Sequence, residues 1–330
     1  MKALPNDLLS QYEINIKKYS YNRSNYILET TNGKYILRKL NIPTEQILFM
    51  YEAVNHLREN GFLQVSLIYP TKKKLPYAIS RGQIYVLQSY ADGEEVEFKD
   101  GHDVKGIVEL LANFHKCGVN FDTQYRSSDD MHIKDVYAYF SKRLRETHNL
   151  KKKIVPLSQK TEFEIMFLKD YRTYEELEKM ALDCIDPSSC SRVMKQAKET
   201  KSLVHNDYKY HTISRVKNGY YLSNVDECTY NMQVLDLSSI LVKIMQKNNW
   251  DTSLLCTLIQ VYEDIRPLSD DEKSVLKALL IFPEKYAAIC HKFLQCKRRN
   301  NYSMYEVKWE NMLVYKDAQV NAAHYIKENL

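Results

Sequence analysis

The apolar residues of this chain shift from a largely strand-like pattern around one helix to a largely helical one near residues 90 to 93, and that shift restricts the fold more than any other feature. Before it, Tyr26-Ile27-Leu28-Glu29-Thr30 and Lys34-Tyr35-Ile36-Leu37-Arg38-Lys39-Leu40 flank Thr31-Asn32-Gly33. Asn-Gly between two β-rich runs predicts a hairpin. A helix is predicted over 44–60, because Ile47, Leu48, Tyr51, Val54 and Leu57 recur at helical spacing and Gly61 can end it. Two more strands, 77–80 and 83–88, are predicted to meet at Arg81-Gly82. After Tyr90-Ala91-Asp92-Gly93 the pattern is helical, over 104–117, 161–184, 237–246 and 253–262. Ser269-Asp270-Asp271-Glu272 reads as an N-cap with acids in the first turn of a further helix. The expected class is α+β, with a small β-rich part over 1–91 and a larger, mostly helical part over 92–330.

Composition bounds the partners. With 330 residues and 44% hydrophobic content the chain can bury a core in two lobes, and 27% charged residues is ordinary for a folded protein. The net charge of +5 is spread out, and the runs Lys151-Lys152-Lys153 and Lys297-Arg298-Arg299 are too short for a basic stripe, so no nucleic-acid partner is expected. Seven cysteines show no C-x-x-C pair and no zinc-like spacing with histidine. They read as reduced intracellular thiols packed as small hydrophobes, with neither zinc nor haem expected. No apolar stretch approaches the roughly 18 residues of a membrane span and the N-terminus lacks a signal core, so cytoplasmic synthesis is expected. Twenty-six tyrosines fit ordinary strand and interface use.

The segment with chemical content is Val204-His205-Asn206-Asp207-Tyr208-Lys209-Tyr210-His211-Thr212, followed by Asn224-Val225-Asp226 and Asp236-Leu237. Phosphoryl transfer asks a protein for a carboxylate that orients the accepting hydroxyl and for oxygen ligands that hold Mg²⁺ on the phosphates. Asp207 is the candidate base, and His205 the residue that would brace the loop. A His-x-Asp alone is a weak signal, and context has to support it.

Context comes from His56-Leu57-Arg58-Glu59-Asn60-Gly61-Phe62, Tyr85-Val86-Leu87-Gln88-Ser89-Tyr90-Ala91-Asp92-Gly93, Leu111-Ala112-Asn113-Phe114-His115, the 204–212 loop and Leu280-Ile281-Phe282-Pro283-Glu284-Lys285. In this order the chain resembles, over nearly its whole length, the bacterial spore coat kinase-like family of the CotS type, a branch of the aminoglycoside and choline phosphotransferase group. The resemblance implies a two-lobed protein-kinase-like fold, with an N-lobe at 1–91, a helical C-lobe at 92–330 and a catalytic-loop region at 203–237. It also implies ATP and Mg²⁺ as cofactors.

Carried over residue by residue, the resemblance puts Thr212 where the group places a metal-binding Asn. The group's acidic pair opens about twelve residues before an Asp-Leu helix start. Counting back from Asp236 puts Asn224 first and Asp226 second; taking Asp226 as first leaves the following loop two residues short. Mg²⁺ prefers carboxylates, so Asn224 would weaken its binding, with Asp226 a partial substitute. Arg38 falls where the third strand supplies a phosphate-binding Lys, and Arg is not equivalent to Lys there. Glu52, ahead of Glu45, is the expected partner of that cation. Gln88, Ser89 and Tyr90 map to the hinge that would meet adenine. The stretch 17–25, expected to be the phosphate-cradling loop, has no glycine to let amides approach phosphates. His115 reads as a packed structural residue and His211 as part of the loop scaffold.

The function implied is that of a spore-coat-associated kinase-like protein, impaired or inactive in phosphoryl transfer, acting as a structural or binding component with other coat proteins. The alternative is an active kinase with Asp207 as base, with Asp226 and Thr212 as metal ligands, and with a hydroxylated small molecule or saccharide as acceptor. Between them lies a protein that binds ATP without metal or turnover. The segment 125–160, with Arg126-Ser127-Ser128-Asp129-Asp130, is left open as a lid or a helix pair.

Overall fold

Gly33 takes φ +127°, a value that costs glycine little, and the chain reverses there as the Asn-Gly pair predicts. The computed structural model describes residues 4–22, 25–126, 132–296 and 303–330. Arg23, Ser24, the run 127–131 and Lys297-Arg298-Arg299 lie outside the described residues. The chain forms two compact units, Met1–His132 with Lys198–Asp236, and Ile133–Ala197 with Leu237–Leu330.

In the first unit α1 (Asn6–Leu9) precedes β1 (Ile16–Asn22), β2 (Asn25–Thr30), β3 (Gly33–Leu40), α2 (Thr44–Glu59), β4 (Ile68–Tyr69), β5 (Ala78–Ser80), β6 (Gln83–Ser89), β7 (Glu94–Glu95) and α3 (Gly101–Cys117). Among the described residues the main sheet has six strands in the order β1-β2-β3-β6-β4, with β5 also on β6. Every pairing is antiparallel. Arg81 and Gly82, at φ 50° and 71°, form the two-residue turn between β5 and β6 that favours positive φ at both positions. One face of the sheet closes over Leu8, Tyr12, Tyr26, Leu28, Leu37, Ala78 and Leu87. Helix α2 buries Ile47, Met50, Val54 and Leu57, and Gly61 follows its end at φ +95°.

Within the expected phosphate loop at 17–25, residues 17–22 belong to β1 and Asn25 begins β2, paired from Tyr19 with Leu28 to Asn22 with Asn25; Arg23 and Ser24, between them, lie outside the described residues. Ile16, Tyr19 and Tyr21 alternate inward, and the rings of Tyr19 and Tyr21 lie 6.3 and 4.9 Å from that of Tyr26. The short strands β8 (Leu203–Val204), β9 (Ile213–Val216), β10 (Gly219–Leu222) and β11 (Thr229–Tyr230) complete the unit, with β10-β9-β7 and β11-β8 as separate small sheets.

The second unit is helical: α4 (Val136–Ile154), α5 (Glu162–Asp183), α6 (Pro187–Glu199), α7 (Val234–Lys247), α8 (Thr252–Glu263), α9 (Asp270–Ile281), α10 (Glu284–Gln295), α11 (Ser303–Leu313) and α12 (Lys316–Asn329). Helix α6 ends, and α7 begins, in residues of the first unit. Within the open stretch 125–160, residues 136–154 are one helix, capped by the Asp135 carboxylate on the Ala138 amide. Capping boxes at Thr161/Glu164 and Ser269/Glu272 start α5 and α9. Aromatic stacking fills the interior, with Phe140 on Phe282 at 3.8 Å and Tyr174 on Tyr286 at 4.6 Å. Among the described residues no helix is long and apolar enough to cross a membrane.

Candidate functional site around the His205–Asp207 loop

All the sequence-predicted site residues lie in the first unit. The loop leaves β8 and turns at Asn206, whose φ of +63° is a left-handed value that Asn tolerates better than most residues. The turn is held by Asp236, in the first turn of α7. Its Oδ2 accepts the His205 amide at 2.6 Å and its Oδ1 the Asn206 amide at 3.0 Å; His115 Nε2 approaches Oδ2 at 3.3 Å. Burial pushes the Asp236 carboxyl up, but the contacts with His115 and His205 outweigh it and hold the group below its ordinary value. Asp236 therefore stays ionised and fixes the loop through its main chain.

His205 is fully buried. Burial keeps its imidazole below the ordinary value, against the pull of Asp236 and the Asn224 carbonyl. The neutral ring has one arrangement that satisfies both nitrogens. Nε2–H donates to the Asn224 carbonyl at 2.8 Å, and Nδ1 accepts the Asp207 amide at 3.2 Å. His205 thus braces the loop and ties it to the 224–226 segment.

Asp207 projects from this scaffold with 40% of its side chain exposed, and Lys209 Nζ bridges its oxygens at 2.9 and 2.7 Å. Thr212 is corrected as an open metal ligand: it is buried, its hydroxyl donates to the Lys209 carbonyl at 2.8 Å, and the same oxygen accepts the Lys209 amide at 3.2 Å. The hydroxyl closes the single turn Tyr210–Thr212, and its donor and an acceptor position are spent there.

Arg38 and Asp226 are brought together across 188 positions of sequence. The guanidinium grips the carboxylate with both terminal nitrogens, Nη1 on Oδ1 at 2.7 Å and Nη2 on Oδ2, and only 14% and 16% of the two side chains are exposed. The fork-on-fork geometry suits Arg and would be lost with Lys. Arg38 Nη1 also donates to Gln88 Oε1 at 3.2 Å. The donor set at the expected metal position is then a spent hydroxyl at 212, a neutral amide at 224 and a carboxylate already neutralised by a guanidinium. That set does not fit Mg²⁺, which asks for free carboxylates in near-octahedral array.

Glu52 is not the partner of Arg38. It accepts the Thr123 hydroxyl instead, because the cation it was expected to meet is engaged by Asp226. At the expected hinge, the Ser89 amide donates to the Leu67 carbonyl at 2.9 Å and the Tyr90 amide to the Lys34 carbonyl at 3.2 Å. Neither amide is left for an adenine. The Ser89 hydroxyl meets Tyr221 at 2.9 Å.

Three residues matter that the sequence did not single out. Lys209 stands two positions after Asp207, a spacing open to inspection. Gln46 on α2 donates from Nε2 to the carbonyls of Asp226 and Cys228, each at 3.0 Å. Arg126 donates to Gln46 Oε1 at 2.6 Å and to the Thr229 hydroxyl at 2.5 Å, with its guanidinium 4.6 Å from the Phe49 ring centre. Contacts from amides to main-chain carbonyls leave no sequence signature.

Known proteins agree with this architecture. An aminoglycoside phosphotransferase from Alicyclobacillus acidocaldarius subsp. acidocaldarius DSM 446 superimposes with a TM-score of 0.84 at 16% identity, over 100% of this chain and 98% of that one. A spectinomycin phosphotransferase solved with ADP and spectinomycin gives 0.61 at 14% identity, over 97% and 95%. These establish the α+β kinase-like fold. Spore coat protein S of Bacillus subtilis (strain 168) is 24% identical over 326 residues, covering 96% of this chain and 92% of the relative. Residues 5–324 match the family described as "Spore coat putative kinase YutH", and the chain belongs to that spore coat, kinase-like family.

Proposed function

We propose that this protein is a spore coat component that keeps the kinase architecture without metal-dependent phosphoryl transfer, and that it works as a binding or structural partner of other coat proteins. The observation that carries this reading is the Arg38–Asp226 pair: the one carboxylate left at the metal position is held by a guanidinium. The buried Thr212 hydroxyl and the uncharged Asn224 support it. The name of the B. subtilis relative supports the coat setting, with synthesis in the cytoplasm and deposition on the spore. Residues 1–91 would act as the nucleotide lobe and 92–330 as the lobe that meets a hydroxylated small molecule, a saccharide or a coat partner.

One observation favours the second reading, an active kinase: Asp207 is exposed on a braced loop with Lys209 beside it, ready to orient an acceptor hydroxyl. Calorimetric titration with ATP, in Mg²⁺ and again in EDTA, separates the two. No binding that depends on Mg²⁺ and no release of phosphate are expected. Binding that requires Mg²⁺, with turnover abolished by Asp207→Asn, would establish the enzyme instead.

A further inference from the structure

Along α2, Glu52, Asn55, His56 and Glu59 stand at i, i+3, i+4 and i+7, so they share one face of the helix. Residues 121–124 run opposite that face, and the groove between them has a volume of about 650 Å³. Two hydrogen bonds brace its walls: the Thr123 hydroxyl donates to Glu52 Oε2, and His56 Nε2 donates to the Val119 carbonyl at 2.9 Å. The groove is therefore formed before anything enters it. Its charge is one-sided. Asp122 is paired with Lys201 at 2.6 Å, whereas no basic side chain among the described residues pairs with Glu52 or Glu59. Two carboxylates are left uncompensated, in a chain whose net charge is +5. No group of acidic, His or Cys side chains among the described residues could hold a metal ion, and a space of this size suits long side chains better than one ion.

A complementary surface lies on the same chain. Helix α4 carries Lys151, Lys152 and Lys153 in its last turn, all three exposed. Lys151 Nζ lies 4.0 Å from the centre of the Tyr171 ring, and Lys152 and Lys153 meet no carboxylate among the described residues. We propose that the α2 groove of one molecule takes the basic end of α4 of a second copy. The two patches differ, so the contact is heterologous and repeats from copy to copy, giving rings or open chains. One exposed ion pair contributes little, but two ammonium groups against two carboxylates in a preformed groove act together. The inference deepens the structural reading given above, and the assembly needs neither ATP nor Mg²⁺.

Sedimentation velocity of the full-length protein tests it. At roughly 0.05 M salt the weight-average mass is expected to climb with concentration past that of a dimer, and at about 1 M, where charges are screened within about 3 Å, to fall to that of the monomer. Glu52→Gln/Glu59→Lys alters the groove and Lys152→Glu/Lys153→Glu reverses the basic end; each is expected to weaken self-association by roughly tenfold or more. Mixed in equal amounts, the two variants are expected to form a dimer that grows no further, since one working groove and one working basic end remain between them. Thermal melts check that both fold, and Glu59→Lys alone, at an exposed position, serves if the double variant does not. Wild type that stays monomeric at low salt overturns the proposal, as does self-association that both variants keep, or a mixture that stays monomeric. Monomeric wild type whose groove binds tetralysine gives the face to a basic partner of another kind and overturns the second copy. None of these outcomes touches the reading of the metal position, which the ATP titration decides separately.

Discussion

Gln46 reaches from the first turn of α2 to the main chain of Asp226, and the same Nε2 also holds the carbonyl of Cys228, both at 3.0 Å. One side chain thereby ties a helix to the segment that carries the carboxylate facing Arg38. Gln46→Leu removes the donor from both carbonyls and the acceptor from Arg126, and is expected to cost about 1–3 kcal/mol. Amide hydrogen exchange over 226–230 should speed up in the same variant. Protection equal to wild type would mean that the segment is held by its other contacts.

The Asp236 carboxylate accepts two consecutive main-chain amides from an interior position. Asp236→Ala leaves the His205 and Asn206 amides without that acceptor and removes the partner of His115, for an expected loss of about 3–5 kcal/mol in urea denaturation. A loss below about 1 kcal/mol would show that the loop keeps its shape without the carboxylate.

In the second unit Glu178 has no exposed surface; Thr147 donates to its Oε2 at 2.8 Å, and among the described residues nothing pairs with Oε1. Burial pushes this carboxyl from 4.5 up to about 8, with the Thr147 bond working against it and the nearby Glu175 adding to it. Tyr286 and Cys290 of α10 also feel its charge. A raised acid is neutral in the fold where the unfolded chain has already ionised. Stability should therefore fall as pH climbs from the ordinary value towards about 8, by up to about 1.4 kcal/mol per pH unit, and level off above it. Glu178→Gln should flatten that slope in denaturation curves taken between about pH 5 and pH 9. A slope of the same size in the variant would assign it to another group.

Gly106 in α3 has no room for a methyl group: a Cβ there would stand 1.8 Å from the ring of Tyr220. That ring is fixed, since its hydroxyl bonds Asp103 at 2.9 Å and His102 at 2.8 Å. Gly106→Ala is expected to destabilise by about 1–3 kcal/mol or more. Adding Tyr220→Leu should recover part of the loss, and a strictly additive double mutant would refute the clash.

The elements that could be read in the sequence are those whose signal is local. The hairpin at Gly33, the turn at Arg81-Gly82, helix α2 and the cap at Ser269 each rest on neighbours a few positions apart. At the site, the bracing role of His205 was legible from its spacing to Asp207, whereas the partner of Arg38 was not. Glu52 lay at a plausible helical position, and the carboxylate that took its place is 188 residues away. The role of Thr212 was hidden for another reason: a hydroxyl that closes its own turn looks, in a sequence, like one offered to a ligand.

The grip of Asp236 on its loop passes through the amides of His205 and Asn206 and is indifferent to the side chain at 207. Shape and reactivity are therefore stored in different atoms. The scaffold can persist while the exposed groups drift, and replacing those groups need not disturb it. A protein built this way can leave one occupation and take up another without refolding its history.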